Sequence, residues 1–339
     1  MLSYYHLLVS ALLQYVGGSR ECFMGEEASW EIKKWILTEL SEDDKTRVKF
    51  YETDMALVTS STEVSWYIIG DGWQGAFYYE EGNPGEERQG VYLYPDYYTC
   101  VLGTFVDHVL VTGHVTHLGE ACRLGNVWSL AFQPIEESAP ILTYSPPSHY
   151  SYGSDPLKQD PYEMRTVEVR TSNKQEAHQG LFTTRAVLSG EVVAFYSGLI
   201  INCDSSLRAL DRRELSDEEE HYRNMYNIAL DLGEGQDNLC IDIPPDTGSD
   251  VTKYNATLAH KVNHSFEPNG EFVLFSAHPV LGTIMAVTAI NDMDADTEVL
   301  VNYGYNYTAE PDQPEWFQHL WIDYYGDNQD GSSDPHQEL

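Results

Sequence analysis

The rhythm of apolar and polar positions changes three times along the chain. In residues 26–40, EEASWEIKKWILTEL, Trp30, Trp35, Ile36 and Leu40 recur at helical spacing with charges on the other face, which predicts an amphipathic helix. From Val48 to about Val127 the pattern becomes short aromatic and β-branched runs punctuated by glycine, as in WYIIGDGWQGAFYYEEG (66–82), RQGVYLYPDYYTCVLGTFVD (88–107) and VLVTGHVTHLG (109–119). Aromatic strands joined by Gly/Asp turns predict an antiparallel meander. A Pro/Ser/Tyr-rich stretch, Pro134–Pro161, interrupts the pattern with the turn chemistry of a connector.

A second block of strands follows: RTVEVRTS, GLFTTRAV, EVVAFYSGLII, NLCIDIP, EFVLFSA, TIMAVTAI and TEVLVNYGY. The charged stretch LRALDRRELSDEEEHYRN (207–224) between them reads as a solvated helix or loop. In PEWFQHLWIDYY (314–325), Trp316, Leu320 and Tyr324 lie four apart with Trp321 and Tyr325 beside them, so a terminal amphipathic helix is expected. The tail after it lacks Lys and Arg and reads as disordered. The expected organisation is a helical segment (1–45), the meander (46–133), the connector (134–161), a β-rich domain (162–308), its helix (309–325) and the acidic tail (326–339).

Charge narrows the possible partners. The formal net charge of −35 over 339 residues argues against direct nucleic-acid binding, which needs a basic surface, and suits a Lys/Arg-rich peptide steered in by the field. Five dispersed cysteines without a CxxC predict neither a disulfide framework nor a zinc cluster, and hence a reducing compartment. The N-x-S/T matches at Asn255, Asn263 and Asn306 then carry no glycan. The first eighteen residues, MLSYYHLLVSALLQYVGG, have no basic n-region and no small-x-small cleavage site, and are polar for a membrane span. A packed helix and no membrane attachment are expected there.

The stretch HKVNHSFEPNGEF (260–272) poses the chemical question. His260 and His264 have the i,i+4 spacing of zinc hydrolases, but the position of the general-base Glu is Lys261, and no third ligand cluster follows. No metal is therefore expected. The surroundings are more informative. Asn263-His264-Ser265 leads into Pro268-Asn269, and Glu298-Val-Leu-Val-Asn-Tyr303-Gly304-Tyr305 follows. Upstream stand Gln179-Gly180-Leu181-Phe182 and Gly190-Glu191-Val-Val-Ala-Phe-Tyr196-Ser-Gly198. These four blocks, in this order, resemble the SET domain of protein-lysine methyltransferases. DPYEMRTVEV before the blocks, HKVNHSFEPN within them and PEWFQ after them narrow the resemblance to enzymes of the Set seven/nine type. Those carry N-terminal MORN repeats (short Tyr/Gly hairpins), here resembled by Gly90, Tyr92, Pro95, Asp96 and Gly103.

The resemblance implies a mainly β fold: a MORN-like antiparallel meander, then a β-clip-like, pseudoknotted SET domain with a C-terminal helix in place of a zinc-binding module. It implies transfer of a methyl group from S-adenosylmethionine to lysine in histone H3 (the lysine-four type) or non-histone proteins, by a monomer of nucleus and cytoplasm. Tyr303 would be the catalytic hydroxyl, with Tyr196 and Tyr305 lining the lysine channel beside Phe272. Ala177, His178, Gln179, Asn263, His264 and Trp316 would hold the cofactor.

Three departures accompany it. His178-Gln179-Gly180 stands where the family has a GxG turn, losing a glycine and an acid. Leu320 replaces a glutamate on the terminal helix. Phe272 replaces a channel tyrosine that restricts the family to one methylation, so dimethylation is expected to be open. Two alternatives follow: a degenerate SET module that binds without catalysis, and a scaffold whose MORN-like region meets anionic membranes, which the net charge opposes.

Overall fold

The computed structural model describes residues 20–39, 50–51, 55–59, 64–80, 82–125, 127–133, 139–144, 160–174, 177–203, 227–230, 239–243, 257–305 and 314–325. The N-terminal eighteen residues, the acidic stretch 217–220, most of the connector and the tail lie outside them. By compactness the chain divides into 1–151 with 274–284, and 152–273 with 285–339. No helix among the described residues is long and apolar enough to cross a membrane.

The first unit is the expected meander. Its strands are β1 (Glu21–Met24), β2 (Phe50–Tyr51), β3 (Met55–Thr59), β4 (Val64–Ile69), β5 (Ala76–Glu80), β6 (Arg88–Leu93), β7 (Thr99–Val106), β8 (Val109–Leu124), β9 (Val127–Phe132) and β10 (Ile141–Leu142). They form one sheet in the order β2-β3-β4-β5-β6-β7-β8-β1, with β9 and β10 also paired to the long β8. Between β6 and β7 the Asp96 carboxylate accepts the Tyr98 and Thr99 N–H groups at 3.0 and 2.8 Å, a side-chain-closed turn that holds buried Tyr97 at φ +54°. Gly90 pairs with Gly103, and Gly103 with Gly113. A Cβ at Gly90 would enter the Tyr79 ring and one at Gly103 the backbone of Thr112, so close packing requires glycine at both.

Helix α1 (Gly25–Lys34) continues in wider π-helical turns through Glu39. It buries Ala28 and Ile32, followed by Trp35 and Ile36, among Trp66, Ile68, Val91, Leu93, Leu118 and Trp128. Trp30, expected on the apolar stripe, is instead 52% exposed, because the buried face runs through Ala28 and Ile32.

The second unit carries α2 (Glu163–Thr166), β11 (Val167–Thr171), β12 (Gln179–Thr183), β13 (Val192–Tyr196), β14 (Leu199–Asn202), β15 (Ile228–Leu230), β16 (Leu239–Asp242), β17 (Asn263–His264), β18 (Gly270–His278), β19 (Gly282–Ala289), β20 (Glu298–Val301) and α3 (Glu315–Tyr325). The tip of the β18–β19 hairpin, 274–284, counts with the first unit. One sheet runs β11-β12-β20-β18-β19-β13, with β17 parallel to β20, and a smaller one runs β14-β16-β15. Strand β20 is central, bonded to β12, β17 and β18. Its neighbour Asn269 fixes it by donating to the Glu298 carbonyl (2.8 Å) and accepting the Leu300 N–H (2.7 Å).

The cysteines overturn the expectation from their dispersal. Cys22 is bonded to Cys122 and Cys203 to Cys240, leaving buried Cys100 as the remaining thiol. Topology is the reason. Antiparallel β1 and β8 set residues 22 and 122 directly opposite, and β14 leads Cys203 toward β16, where Cys240 faces Ile201. The premise for a reducing compartment therefore does not hold.

Candidate functional site

The HKVNH segment is not one helix. A 3-10 turn, Ala259–Lys261, gives way at Val262 to β17, so the two histidines share no helix face. His260 is buried, its Nδ1 2.9 Å from the Thr257 carbonyl, and burial, reinforced by Lys261, pushes its pKa down to about 3. Burial also lowers Lys261 to about 8. At His264 the Nδ1 atom accepts the Tyr303 backbone N–H at 3.1 Å, which leaves the ring proton on Nε2. Among the described residues that Nε2 meets no hydrogen-bond partner, and burial lowers the histidine to about 4, so the ring is neutral near pH 7.

Parallel pairing places Asn263 opposite Leu300 and His264 opposite Val301, which brings the NH pair to the start of the Tyr303 segment. The Tyr303 hydroxyl donates to the Val262 carbonyl at 2.6 Å. Tyr305 and Trp316 complete the group, with centroids 6.0 and 6.1 Å from Tyr303 and 6.0 Å from each other. Trp316 is also 6.0 Å from His264. Tyr196 is buried at the end of β13, 6.0 Å from Phe272 and 6.4 Å from His260. Phe272 and Tyr303 pack on the core that contains Tyr196.

The turn before β12 meets the same group. The Ala177 N–H closes on the Lys174 carbonyl (3.2 Å), and the His178 carbonyl accepts the Ser172 N–H (3.4 Å). The Gln179 carbonyl accepts Asn263 Nδ2 at 2.9 Å. His178 itself is exposed.

Helix α3 turns one side of the expected face inward, the side of Trp321 and Tyr325. Phe317 is fully buried, whereas Tyr324 is 49% exposed and Trp316 and Leu320 are half-buried. The inner stripe is Phe317, Trp321 and Tyr325, rotated one residue from Trp316, Leu320 and Tyr324. Phe266 packs among these rings, with centroids 5.6 Å from Trp321 and 5.4 Å from Tyr325, and lies 5.1 Å from Tyr324 as well.

Sequence reading assigned no role to Phe266, Phe317, Asn269, Glu298 or Glu163. All five lie inside quoted stretches, Phe317 in PEWFQ and Glu163 in DPYEMRTVEV. Glu163 is one residue past the Tyr162 of DPYE. Its Oε1 accepts the Phe195 and Leu258 N–H groups, each at 2.8 Å, tying the strand of Tyr196 to the turn before Asn263. Cys22, Glu120 and Cys122 cluster closely enough to suggest a metal site, but the two sulfurs are bonded to each other.

The SET domain family matches residues 178–304. The chain is 31% identical over 238 residues to the histone-lysine N-methyltransferase SETD7 of Halocynthia roretzi, an alignment covering 67% of the chain and 56% of the relative. The chain thus spans little more than half the length of that relative. Two solved structures are similar. One is a humanized mutant of the Chaetomium thermophilum Polycomb Repressive Complex 2 bound to the inhibitor GSK126, with 23% identity, a TM-score of 0.29, and 41% of this chain and 15% of that chain covered. The other is ctPRC2 in an autoinhibited conformation bound to S-adenosylmethionine, with 24% identity, a TM-score of 0.31, and 48% and 17% covered. Neither superposition is close enough to speak to function.

Proposed function

We propose that this chain, a member of the SET-domain family, transfers a methyl group from S-adenosylmethionine to a lysine amine of a basic protein. The observation that carries the reading is the convergence of Gln179, Asn263, His264 and Tyr303 at the junction of β12, β17 and β20, inside the matched SET domain. S-adenosylmethionine supplies an electrophilic methyl group on a positively charged sulfur.

The residues fit that charge. Asn263 spends both amide hydrogens on Gln179 and Glu298, so its Oδ1 remains an acceptor for an amino-acid ammonium group. The neutral His264 ring adds no repelling charge. Half-buried Trp316 offers an aromatic face suited to adenine. Tyr303, its proton committed to Val262, presents oxygen lone pairs toward the group of tyrosines, where they can orient an amine hydrogen. The apolar walls of buried Tyr196 and half-buried Phe272 disfavour an ammonium and keep the amine neutral, as a nucleophile must be. Alignment by these fixed groups would supply much of the rate.

Phe272 lacks the hydroxyl that a tyrosine would project beside Tyr196, and the space so left supports dimethylation as well as monomethylation. Histone H3 and non-histone proteins are the proposed substrates, with Lys/Arg-rich sequence matching the acidic chain. The glycine row and Asp96 turn of the first unit support MORN-type repeats there.

The test is calorimetric titration of S-adenosylmethionine into wild type and Asn263→Ala, followed by mass spectrometry of lysine peptides. Micromolar binding that weakens beyond the micromolar range in the variant, then peptides gaining two methyl groups in wild type and one in Phe272→Tyr, is the expected result. A folded wild type that binds no S-adenosylmethionine would make the domain an interaction module instead.

A further inference from the structure

Resting on that reading, we propose that Glu298 is a positioning residue: it fixes the amide of Asn263 so that Oδ1 faces the cationic end of the ligand. Asn263 Nδ2 donates to Glu298 Oε1 at 2.9 Å and to the Gln179 carbonyl at 2.9 Å. Both partners only accept, the carboxylate when ionised, so the amide cannot turn over without setting oxygen against oxygen. Nothing among the described residues donates to Oδ1, which is left for the ligand.

The carboxylate is itself held. Ser172 Oγ donates to the same Oε1 at 2.7 Å. Asn269 locks the backbone on either side of Val299, through the Glu298 carbonyl and the Leu300 N–H. Register explains the meeting of three segments. Glu298 pairs across to Phe182 on β12, and Asn263 pairs with Leu300, so Gly180 and Asn263 are its diagonal neighbours on one face.

Gly180 makes room for the device. A Cβ there would collide with Glu298 Oε1 and stand 3.1 Å from Asn263 Nδ2. Of the His178-Gln179-Gly180 turn, the glycine is therefore a member that the site requires. A charged hydrogen-bond acceptor shared by Ser172 and Asn263 is stronger than a neutral one and orients them both.

Calorimetric titration of S-adenosylmethionine into the full chain separates the possibilities. Glu298→Asp, too short to reach Asn263, and Glu298→Ala are expected to weaken binding about tenfold, as loss of one charge-assisted hydrogen bond would. Glu298→Gln, whose Oε1 can accept from both partners, should stay within about twofold of wild type. In an Asn263→Ala background, titrated at raised protein concentration, Glu298→Asp should change nothing further, because the pair acts as a unit.

Equal losses in both backgrounds, or a Gln variant as weak as the Asp variant, would overturn the inference and leave Glu298 a merely structural residue. Binding unchanged in Asp, Ala and Gln variants alike would also overturn it while sparing the parent reading. A folded wild type that does not bind overturns both. If thermal melts show Glu298→Ala unfolded, the Asp and Gln variants carry the comparison.

Discussion

Phe266, two residues past His264, packs against Phe317 of α3 with ring centroids 5.6 Å apart, and Phe317 packs in turn on His264 at 5.3 Å. The terminal helix is thus seated on the NH motif through one fully buried ring. Phe317→Ala should cost about 3–5 kcal/mol locally, as truncation of a buried phenylalanine does. Since Trp316 rides on the same helix, S-adenosylmethionine binding is expected to weaken in parallel with helix docking. Amide hydrogen exchange over 315–325 together with calorimetry checks this; protection lost with binding intact would detach the helix from the site.

Among its contacts, Tyr303 makes hydrogen bonds of two different kinds. Its backbone N–H fixes His264, and its hydroxyl holds the Val262 carbonyl. Tyr303→Phe removes only the second. Turnover should fall by about 10²-fold or more, the scale of losing one group fixed at the reacting atoms, while S-adenosylmethionine affinity stays within about twofold. Single-turnover kinetics alongside calorimetry would show it. A comparable loss in affinity would mean that the hydroxyl serves the fold of the site rather than the chemistry.

Much of this was legible in the chain. Alternating and continuous apolar runs marked the strands, and the motif blocks brought Asn263, His264, Tyr303 and Trp316 into view because chemistry confines those residue types to fixed offsets. What escaped depends on pairing across long separations. Nothing local to Glu298 says that it will meet Gly180 and Ser172, nor to Cys22 that it will face Cys122. The face of α3 was legible in part: Trp321 and Tyr325 stand beside the four-apart stripe, but nothing local marks Phe317, fully buried against Phe266, as its anchor.

Glu163 makes stability depend on pH. It is fully buried, and that burial pushes its carboxyl well above the usual range, with Asp160 adding to the rise and the N–H groups of Leu258 and Phe195 opposing it. Among the described residues its Oε2 meets no hydrogen-bond partner, so ionisation would leave that oxygen's share of the charge uncompensated. The folded chain therefore keeps a proton that the unfolded chain releases near the ordinary glutamate value of 4.5. The stabilisation is complete below that pH and declines as pH rises toward the folded value, by at most about 1.4 kcal/mol per unit. Glu163→Gln, neutral at every pH, should lack this slope, so its melting temperature gains on wild type as the solution becomes more alkaline. A constant difference from pH 4 upward would show that Glu163 is ionised in the fold.

The two disulfides close loops of very different size, 100 and 37 residues of separation. In the chain-entropy view, cross-linking restricts the unfolded state, by about 4.7 kcal/mol for the longer loop and about 3.8 kcal/mol for the shorter. Cys22→Ser should therefore lower the denaturation midpoint more than Cys203→Ser, and reductant should erase the difference between wild type and each variant. The second bridge lies within the matched SET domain, in the small sheet that β14 enters three residues after Tyr196. Its loss should thus be felt in turnover more than the loss of the first, which belongs to the other unit. Denaturant titration with and without reductant, paired with turnover of each variant, checks both orderings. Peptide maps of freshly purified protein that show five free thiols would mean that these pairs stand reduced in the cell, as nuclear or cytoplasmic residence requires.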